Sequence, residues 1–402
     1  MKHPISFLTV LILTATFPAF LFSASEFSLE AIKFPESFQI TSSSYQIDSR
    51  VKESDAPGFL KFHVTSPHAQ YDMEGLANLK KLLHEIEVIE QILKNRAGTG
   101  DGVFDGAADS IEATGEGFVN LVSHPVDSAK GIGKAARKLG QGIGGIFRKK
   151  ESGEKSTFSE KMLGSSEREL AKQFGVDVYS ENPNLQAILK KMAHARLGGK
   201  GIAAVGTFLV PVSALVSAAV TASGVNSAAD QLVNDKDRAD LFLENKKALL
   251  GMGFQETEAG PFLNSNYFSP REATYFRFYL EQLKEAEGAL EILKRAAQAK
   301  SVWDARKILY EVQMAAEHVS EMKYQKITCL DTGLLVEAVH QTILMTPFDY
   351  LDRSALGDQI LSQISKIKTG AFEIWNAGQI TKDFSAAAFV KGVKTRAWIL
   401  FS

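Results

Sequence analysis

The sequence predicts a mainly α-helical protein with a small C-terminal α/β unit, built from amphipathic helices and one apolar helical hairpin. Three observations carry this expectation. Apolar residues recur every three or four positions through most of residues 76–320. Strand-like and helical runs alternate from residue 324 onward. Cys329 is the single cysteine among 402 residues, so no disulfide framework substitutes for packed cores. An apolar content of 45% supplies such cores, and a formal net charge of −2 leaves no global field for nucleic acid or acidic substrates.

The N-terminus, MKHPISFLTVLILTATFPAFLFSAS, has a basic Lys2, an apolar run from Ile5 to Phe22 and small residues at Ser23 and Ser25. Residues 1–25 read as a secretory signal peptide, with an uncleaved membrane anchor as the alternative. No cysteine follows the run, which excludes acylation of a new N-terminal cysteine. Residues 26–98 read as short strands near 37–47 and 59–66 followed by a helix. In that helix Leu76, Leu79, Leu82, Leu83, Ile86, Ile89 and Leu93 share one face.

Residues 99–150 read as two glycine-rich amphipathic helices of opposite charge. On the first, Val103, Phe104, Ala107, Ile111, Phe118 and Val122 oppose Asp101, Asp105, Asp109, Glu112 and Glu116. After the break at His124-Pro125, Ile132, Leu139, Ile143 and Phe147 oppose Lys130, Lys134, Arg137 and Lys138, with Arg148, Lys149 and Lys150 closing the stretch. Residues 151–169 are polar and weakly periodic and read as a linker.

The following segment, 170–323, reads as a helical domain. Asn182-Pro183 starts one helix, residues 201–225 carry no charge, and an amphipathic helix follows them. Ser269-Pro270-Arg271-Glu272 is a capping-box start, and Ser301-Val302-Trp303-Asp304 a weaker one, so 270–298 and 302–323 read as an antiparallel helical hairpin. Residues 324–402 read as the small α/β unit: strands in KITCL, LLVEAVHQTILMT, AFEIWNAG and VKTRAWILF, helices in SALGDQILSQISKI and TKDFSAAAFVKG.

YSENPNLQAILKKMAHARLGGKG, FLNSNYFSPREATYF and NAGQIT together resemble segments of a group of exported bacterial proteins. The resemblance spans roughly residues 100–400. It implies a bacterial envelope location and carries over no catalytic residues.

Six glycines between Gly131 and Gly145 each cost about 1 kcal/mol against Ala in a helix, so the cationic stretch needs a surface to fold on. Anionic lipid suits its charge and apolar side. Docking on its own protein and binding another polyanion remain open, and nucleic acid is not expected, because no aromatic residues interleave the cations. Residues 201–225 read as a buried or inserting hairpin, with a stable transmembrane helix as the alternative. Pro211 interrupts the run, and Lys190, Lys191, Arg196 and Lys200 flank it on the side opposite to the positive-inside preference.

No catalytic, cofactor or metal motif is complete. The Asp101–Asp109 region lacks EF-hand spacing, and Leu197–Gly206 lacks Walker or dinucleotide spacing. His84-Glu85 is followed by Val88 where a zincin helix needs its second His, and Cys329 has Asp331, Glu337 and His340 near it only in sequence. The expected role is therefore non-catalytic association of an exported envelope protein with an anionic membrane or an envelope partner. A pore-forming or translocated effector inserting 201–225 is one rival. A periplasmic ligand-binding protein or hydrolase using the C-terminal unit is the other.

Overall fold

The computed structural model describes residues 26–32, 34, 38, 40–54, 56–99, 118–120, 158–197, 224–367, 370–397 and 400. Within them the protein is mixed α/β, with an N-terminal antiparallel sheet as well as the expected C-terminal one. The mainly α expectation thus holds only in part. The N-terminal sheet was under-read because its strands are short and polar on one face.

That sheet is formed by β1 (Glu26–Ser28), β2 (Gln46–Ile47), β3 (Arg50–Glu53), β4 (Leu60–Thr65), β5 (Gln70–Glu74) and β6 (Phe118–Asn120). The spatial order is β1-β3-β4-β5-β6, with β2 also paired to β4. In β4 burial alternates with period two, and Leu60, Phe62 and Val64 face the core. Beside it, β6 runs parallel to β5, Gln70 opposite Phe118. Phe118 therefore lies in a strand rather than on the helical face expected for it, consistent with the aromatic and β-branched pair Phe118-Val119. The rest of the 99–150 region beyond Thr99 lies outside the described residues.

Helix α1 (Leu76–Thr99) serves two cores in succession. Its first half, Leu76, Leu79, Leu82, Leu83 and Ile86, covers the sheet against Phe62, Val64 and Tyr71. Its second half, Val88, Ile89 and Ile92, packs with α2 (Phe158–Phe174) and α3 (Pro183–Leu197). Residues 158–169, expected as linker, are thus the first two-thirds of α2. The signal is faint because Gly164, Ser165 and Ser166 interrupt the apolar pattern before the buried Leu170, Ala171 and Phe174. At the start of α3 the Asn182 side chain accepts from the backbone of Asn184 at 3.1 Å, as its Asn-Pro start predicts.

Residues 201–223 lie outside the described residues, and Gly224 opens α4 (Gly224–Asp235). α5 (Arg238–Gly251) follows, capped by Asp237, which accepts from the Asp240 N–H at 2.9 Å. α6 (Glu256–Leu263) leads to α7 (Pro270–Gln282), whose capping box forms as expected: Ser269 N–H donates to Glu272 at 2.8 Å and Glu272 N–H to Ser269 Oγ at 3.2 Å.

The helix expected over 270–298 is two helices, α7 and α8 (Ala289–Ala297). Between them Glu287 exchanges backbone hydrogen bonds with Gln325 and Ile327, which no helical backbone permits. Gly288 has φ +102°, and a Cβ there would sit 2.0 Å from the Ile327 carbonyl oxygen. Gly288→Ala is expected to lower stability by about 1–3 kcal/mol, read as a lower urea midpoint. An unchanged midpoint would mean that this loop relaxes without cost. α9 (Val302–His318) then returns along α7, burying Val302, Trp303, Ile308, Val312 and Met314.

The C-terminal sheet has the order β13-β11-β9-β8-β7. β7 (Tyr324–Leu330), β8 (Gly333–Ala338) and β9 (Thr342–Thr346) form an antiparallel meander, while β11 (Phe372–Asn376) runs parallel to β9 and to β13 (Val393–Arg396). Helices α10 (Ala355–Ile367) and α11 (Lys382–Val390) make the two parallel crossovers. Leu334, Val336, Ile343 and Met345 face the α5–α9 core, and Leu335, Leu344 and Ile374 face α10 and α11. Burial on both sides explains the unbroken apolar run of β8.

One further pair, β10 (Tyr350–Leu351) with β12 (Gln379–Ile380), sits where the two sheets meet. There the Asp349 carboxylate accepts from Leu60 N–H at 2.8 Å and from Leu76 N–H, the first of α1, at 3.0 Å. Its own backbone N–H donates to the Gly58 carbonyl at 2.9 Å.

Candidate functional site

On α1 the residues Ala77, Lys80, Lys81, His84 and Glu85 share a face at helical spacing. With the end of α2, the loop to Asp177, Asp230 and Asn234 of α4 and Arg271 of α7, that face encloses a cavity of about 330 Å³. Ala77, Ala171 and Val176 supply apolar wall, and charged side chains supply the rest.

The charges are arranged with alternating sign. Lys81 Nζ donates to Asp177 at 2.8 Å, and the Tyr179 N–H donates to the other Asp177 oxygen at 2.8 Å. Arg271 donates to Asp230 and to Tyr275 Oη at 2.8 Å, and Tyr275 also donates to Asp230. Burial pushes Asp177 up, but the Lys81 ammonium and Arg271 guanidinium outweigh it and hold the carboxyl below its ordinary range. Likewise burial opposes the Lys81 ammonium, and Asp177 with Glu85 hold it above its ordinary value. Glu85 behaves differently. It is 3% exposed, and burial pushes its carboxyl up to about 7 against the pull of Lys81.

Two polar atoms of these lining residues are left over. Glu85 Oε1 and Asp230 Oδ2 are buried without a hydrogen-bond partner. Burial also lowers the His84 pKa, against the carbonyls of Phe174 and Gly175 that face the ring, so the imidazole is neutral near pH 7. A second layer supports the first: Arg306 donates from Nε to Glu272 and from Nη2 to Glu181, each at 2.9 Å. No base–nucleophile pair is formed in the cavity among the described residues. What the arrangement offers is binding, with anionic and cationic groups in one small enclosure.

The same helices define a direction. His84 of α1 faces the end of α2, and Asn182 at the start of α3 faces Glu85. Lys172 in the last turn of α2 pairs with Asp235 at the end of α4 at 3.9 Å. Farther along, Glu167 lies within electrostatic reach of Lys190, and Arg196 bonds Glu169 at 2.8 Å, so α2 and α3 pack along each other. On α1, α2 and α4 the ends that border undescribed residues, Thr99, Phe158 and Gly224, are the ends farther along the helix from the cavity-lining residues.

Of the residues singled out in the sequence, Lys130, Ile132, Lys134, Arg137, Lys138, Leu139, Ile143, Phe147, Arg148, Lys149 and Lys150 lie outside the described residues, as do Asp101, Asp105 and Asp109. Cys329 is half-buried beside Arg295 and Glu311 in β7, and burial raises its thiol pKa; His340 lies in the turn between β8 and β9. In the C-terminal unit a more open pocket of about 400 Å³ is lined by Arg353, Asp358, Ser362, Ser365 and Lys391, with Lys391 Nζ donating to Ser365 Oγ at 2.9 Å. Among the described residues no group of three or more His, Cys, Asp or Glu side chains could hold a metal ion. No described helix is long and apolar enough to cross a membrane.

The cavity was missed in the sequence because its walls come from four separated segments. One signal was present: Lys81, His84 and Glu85 lie at i, i+3 and i+4, which puts three titratable side chains on one face of α1. Comparison with protein-family models, curated proteins and solved structures finds no match for this chain.

Proposed function

We propose that the protein is a non-catalytic, exported component of the bacterial envelope that docks on an anionic membrane surface through residues 130–150. Lys130, Lys134, Arg137, Lys138, Arg148, Lys149 and Lys150 supply the attraction, on the order of 1 kcal/mol per cation near the surface. Ile132, Leu139, Ile143 and Phe147 supply the side that enters the headgroup region.

One observation supports this reading above the others. Between Asp127 and Glu151 the chain carries seven Lys or Arg and no acidic residue, with Ile132, Leu139, Ile143 and Phe147 as an apolar side. This charged stretch and the uncharged 201–225 run belong to one chain and can engage one surface together, and the tether raises the effective concentration of the second contact.

Co-sedimentation with vesicles tests it. The full chain is expected to pellet with anionic phosphatidylglycerol vesicles and to gain helical circular dichroism. It is expected to stay in solution with neutral phosphatidylcholine. Changing Lys130, Lys134, Arg137 and Lys138 together to Gln is expected to weaken anionic binding tenfold or more, as is raising the salt to 1 M. Equal pelleting with neutral vesicles, or no pelleting at all, would remove the proposal. Dye release from the vesicles would point instead to insertion of 201–223.

A further inference from the structure

We propose that the cavity between α1, α2, α4 and α7 binds a small zwitterion carrying one carboxylate and one ammonium group, of the free amino acid class. The inference is independent of membrane docking and rests on three features of the cavity.

The first is size and lining. About 330 Å³ lies at the small end of ligand pockets, and a wall of Ala77, Ala171 and Val176 with a few placed polar groups is their usual composition. The second is the set of unpaired atoms. Glu85 Oε1 and Asp230 Oδ2 belong to residues lining this one cavity. A charge network with a purely structural role gains by satisfying every buried atom, and each one left over costs about 1–3 kcal/mol. Atoms left unpaired around an enclosure fit a partner that comes from outside.

The third is sign. Lys81 spends one of its three N–H donors on Asp177, and Arg271 directs the same nitrogen at Asp230 and Tyr275, so both cations keep donors in reserve. A carboxylate would take those donors. Asp230 Oδ2 and Glu85 Oε1 are acceptors, and an ammonium group would supply their hydrogen bonds. A simple cation would face Lys80, Lys81, Lys172 and Arg271, and a simple anion would leave Asp230 Oδ2 and Glu85 Oε1 without a donor. A molecule with both charges satisfies both halves, and its side chain would lie against the alanines and Val176.

Calorimetric titration of the full chain in lipid-free buffer tests this with a panel of L-amino acids. Leucine is accompanied by its two truncated analogues, 4-methylpentanoate without the ammonium and 3-methylbutylamine without the carboxylate, and glycerol serves as a neutral polyol. At least one amino acid is expected to bind with a Kd of about 1 mM or tighter. Each truncated analogue is expected to bind at least tenfold more weakly than its parent. Asp230→Asn is expected to weaken binding tenfold or more. Ala77→Leu, which fills the cavity from a helix position that favours leucine, is expected to abolish binding while leaving the circular dichroism spectrum and melting temperature unchanged. If Asp230→Asn does not fold, Ala77→Leu still decides. No heat with any amino acid, equal binding of the carboxylate alone or of glycerol, or binding that survives in folded Ala77→Leu would overturn the assignment. Because no lipid is present, failure of the membrane proposal leaves this result untouched.

Discussion

Arg306→Ala is expected to destabilise the protein by about 3–5 kcal/mol, the range for removing one partner from a buried ion pair. The Arg306 side chain is 10% exposed and bridges Glu272 of α7 and Glu181 of the α2–α3 loop. Glu272 is already committed, since its second oxygen holds the Ser269 N–H of the α7 capping box. Burial pushes the Glu272 carboxyl up, and Arg306 with the Ser269 N–H more than offsets this, so its pKa lies below the ordinary value.

The sign of the pH effect follows. In the native protein Glu272 contributes stability that is present above its unfolded pKa and lost as pH falls through the folded one. Without the guanidinium, burial is opposed only by the Ser269 N–H and the Lys81 charge, the folded pKa rises, and the loss is relieved by protonation in acid. Urea midpoints should therefore show a deficit for Arg306→Ala that is larger at pH 7.5 than at pH 4.5. A deficit independent of pH would assign the effect to lost packing of the arginine stem.

A comparable loss, about 3–5 kcal/mol, is expected for Asp349→Ala, because two buried backbone donors, Leu60 N–H and Leu76 N–H, would be left without acceptors. Burial pushes the Asp349 carboxyl up to about 7, Glu74 adding to the shift and the two N–H donors opposing it. Its folded pKa thus lies above the unfolded one, and the stability it contributes is fully present below about pH 4 and lost as pH rises through about 7. Between those limits the slope contributed by this one group approaches about −1.4 kcal/mol per pH unit. Glu85 adds a contribution of the same sign in the same window. Asp349→Asn retains one acceptor and removes the titration, so its stability should vary less steeply between pH 4.5 and 7.5 than that of the native chain. A slope identical to the native one would show that Asp349 is ionised throughout.

Both predictions concern polar groups held between segments far apart in sequence, the class of feature that periodicity does not reveal. The parts that were legible rest on local chemistry. The α7 start was readable from Ser269-Pro270-Arg271-Glu272, and the apolar face of α1 from Leu76 to Ile89. The alternation of strands and helices after residue 324 was readable from β-branched runs broken by Gly and Asp. Where reading failed, the deciding partner was distant. Glu287 and Gly288 sit in a helix-like sequence, and backbone bonds to β7 break the helix there. The strand β5, Gln70–Glu74, alternates polar and apolar residues but is short, and only pairing along β4 makes it a strand. The cavity combines these problems, because α1 alone shows a signal, in Lys81, His84 and Glu85, and their partners Asp177, Asp230 and Arg271 come from segments far along the chain.

The contacts of Asp349 have a further consequence for the order in which the chain can complete its structure. The carboxylate that closes the N-terminus of α1 lies 273 residues downstream of Leu76 and 289 downstream of Leu60. A chain made from its N-terminus onward has finished β4, β5 and α1 long before this acceptor exists. Until residue 349 is available, the first sheet lacks a tether, and Phe59 lacks its ring contacts with Trp303 and Phe348. Contacts of such long sequence separation slow folding, because loop entropy must be spent before they form. The first sheet and α1 can pack on each other as soon as they are made, but the contacts that tie them to the C-terminal unit close only after residue 349 has been added.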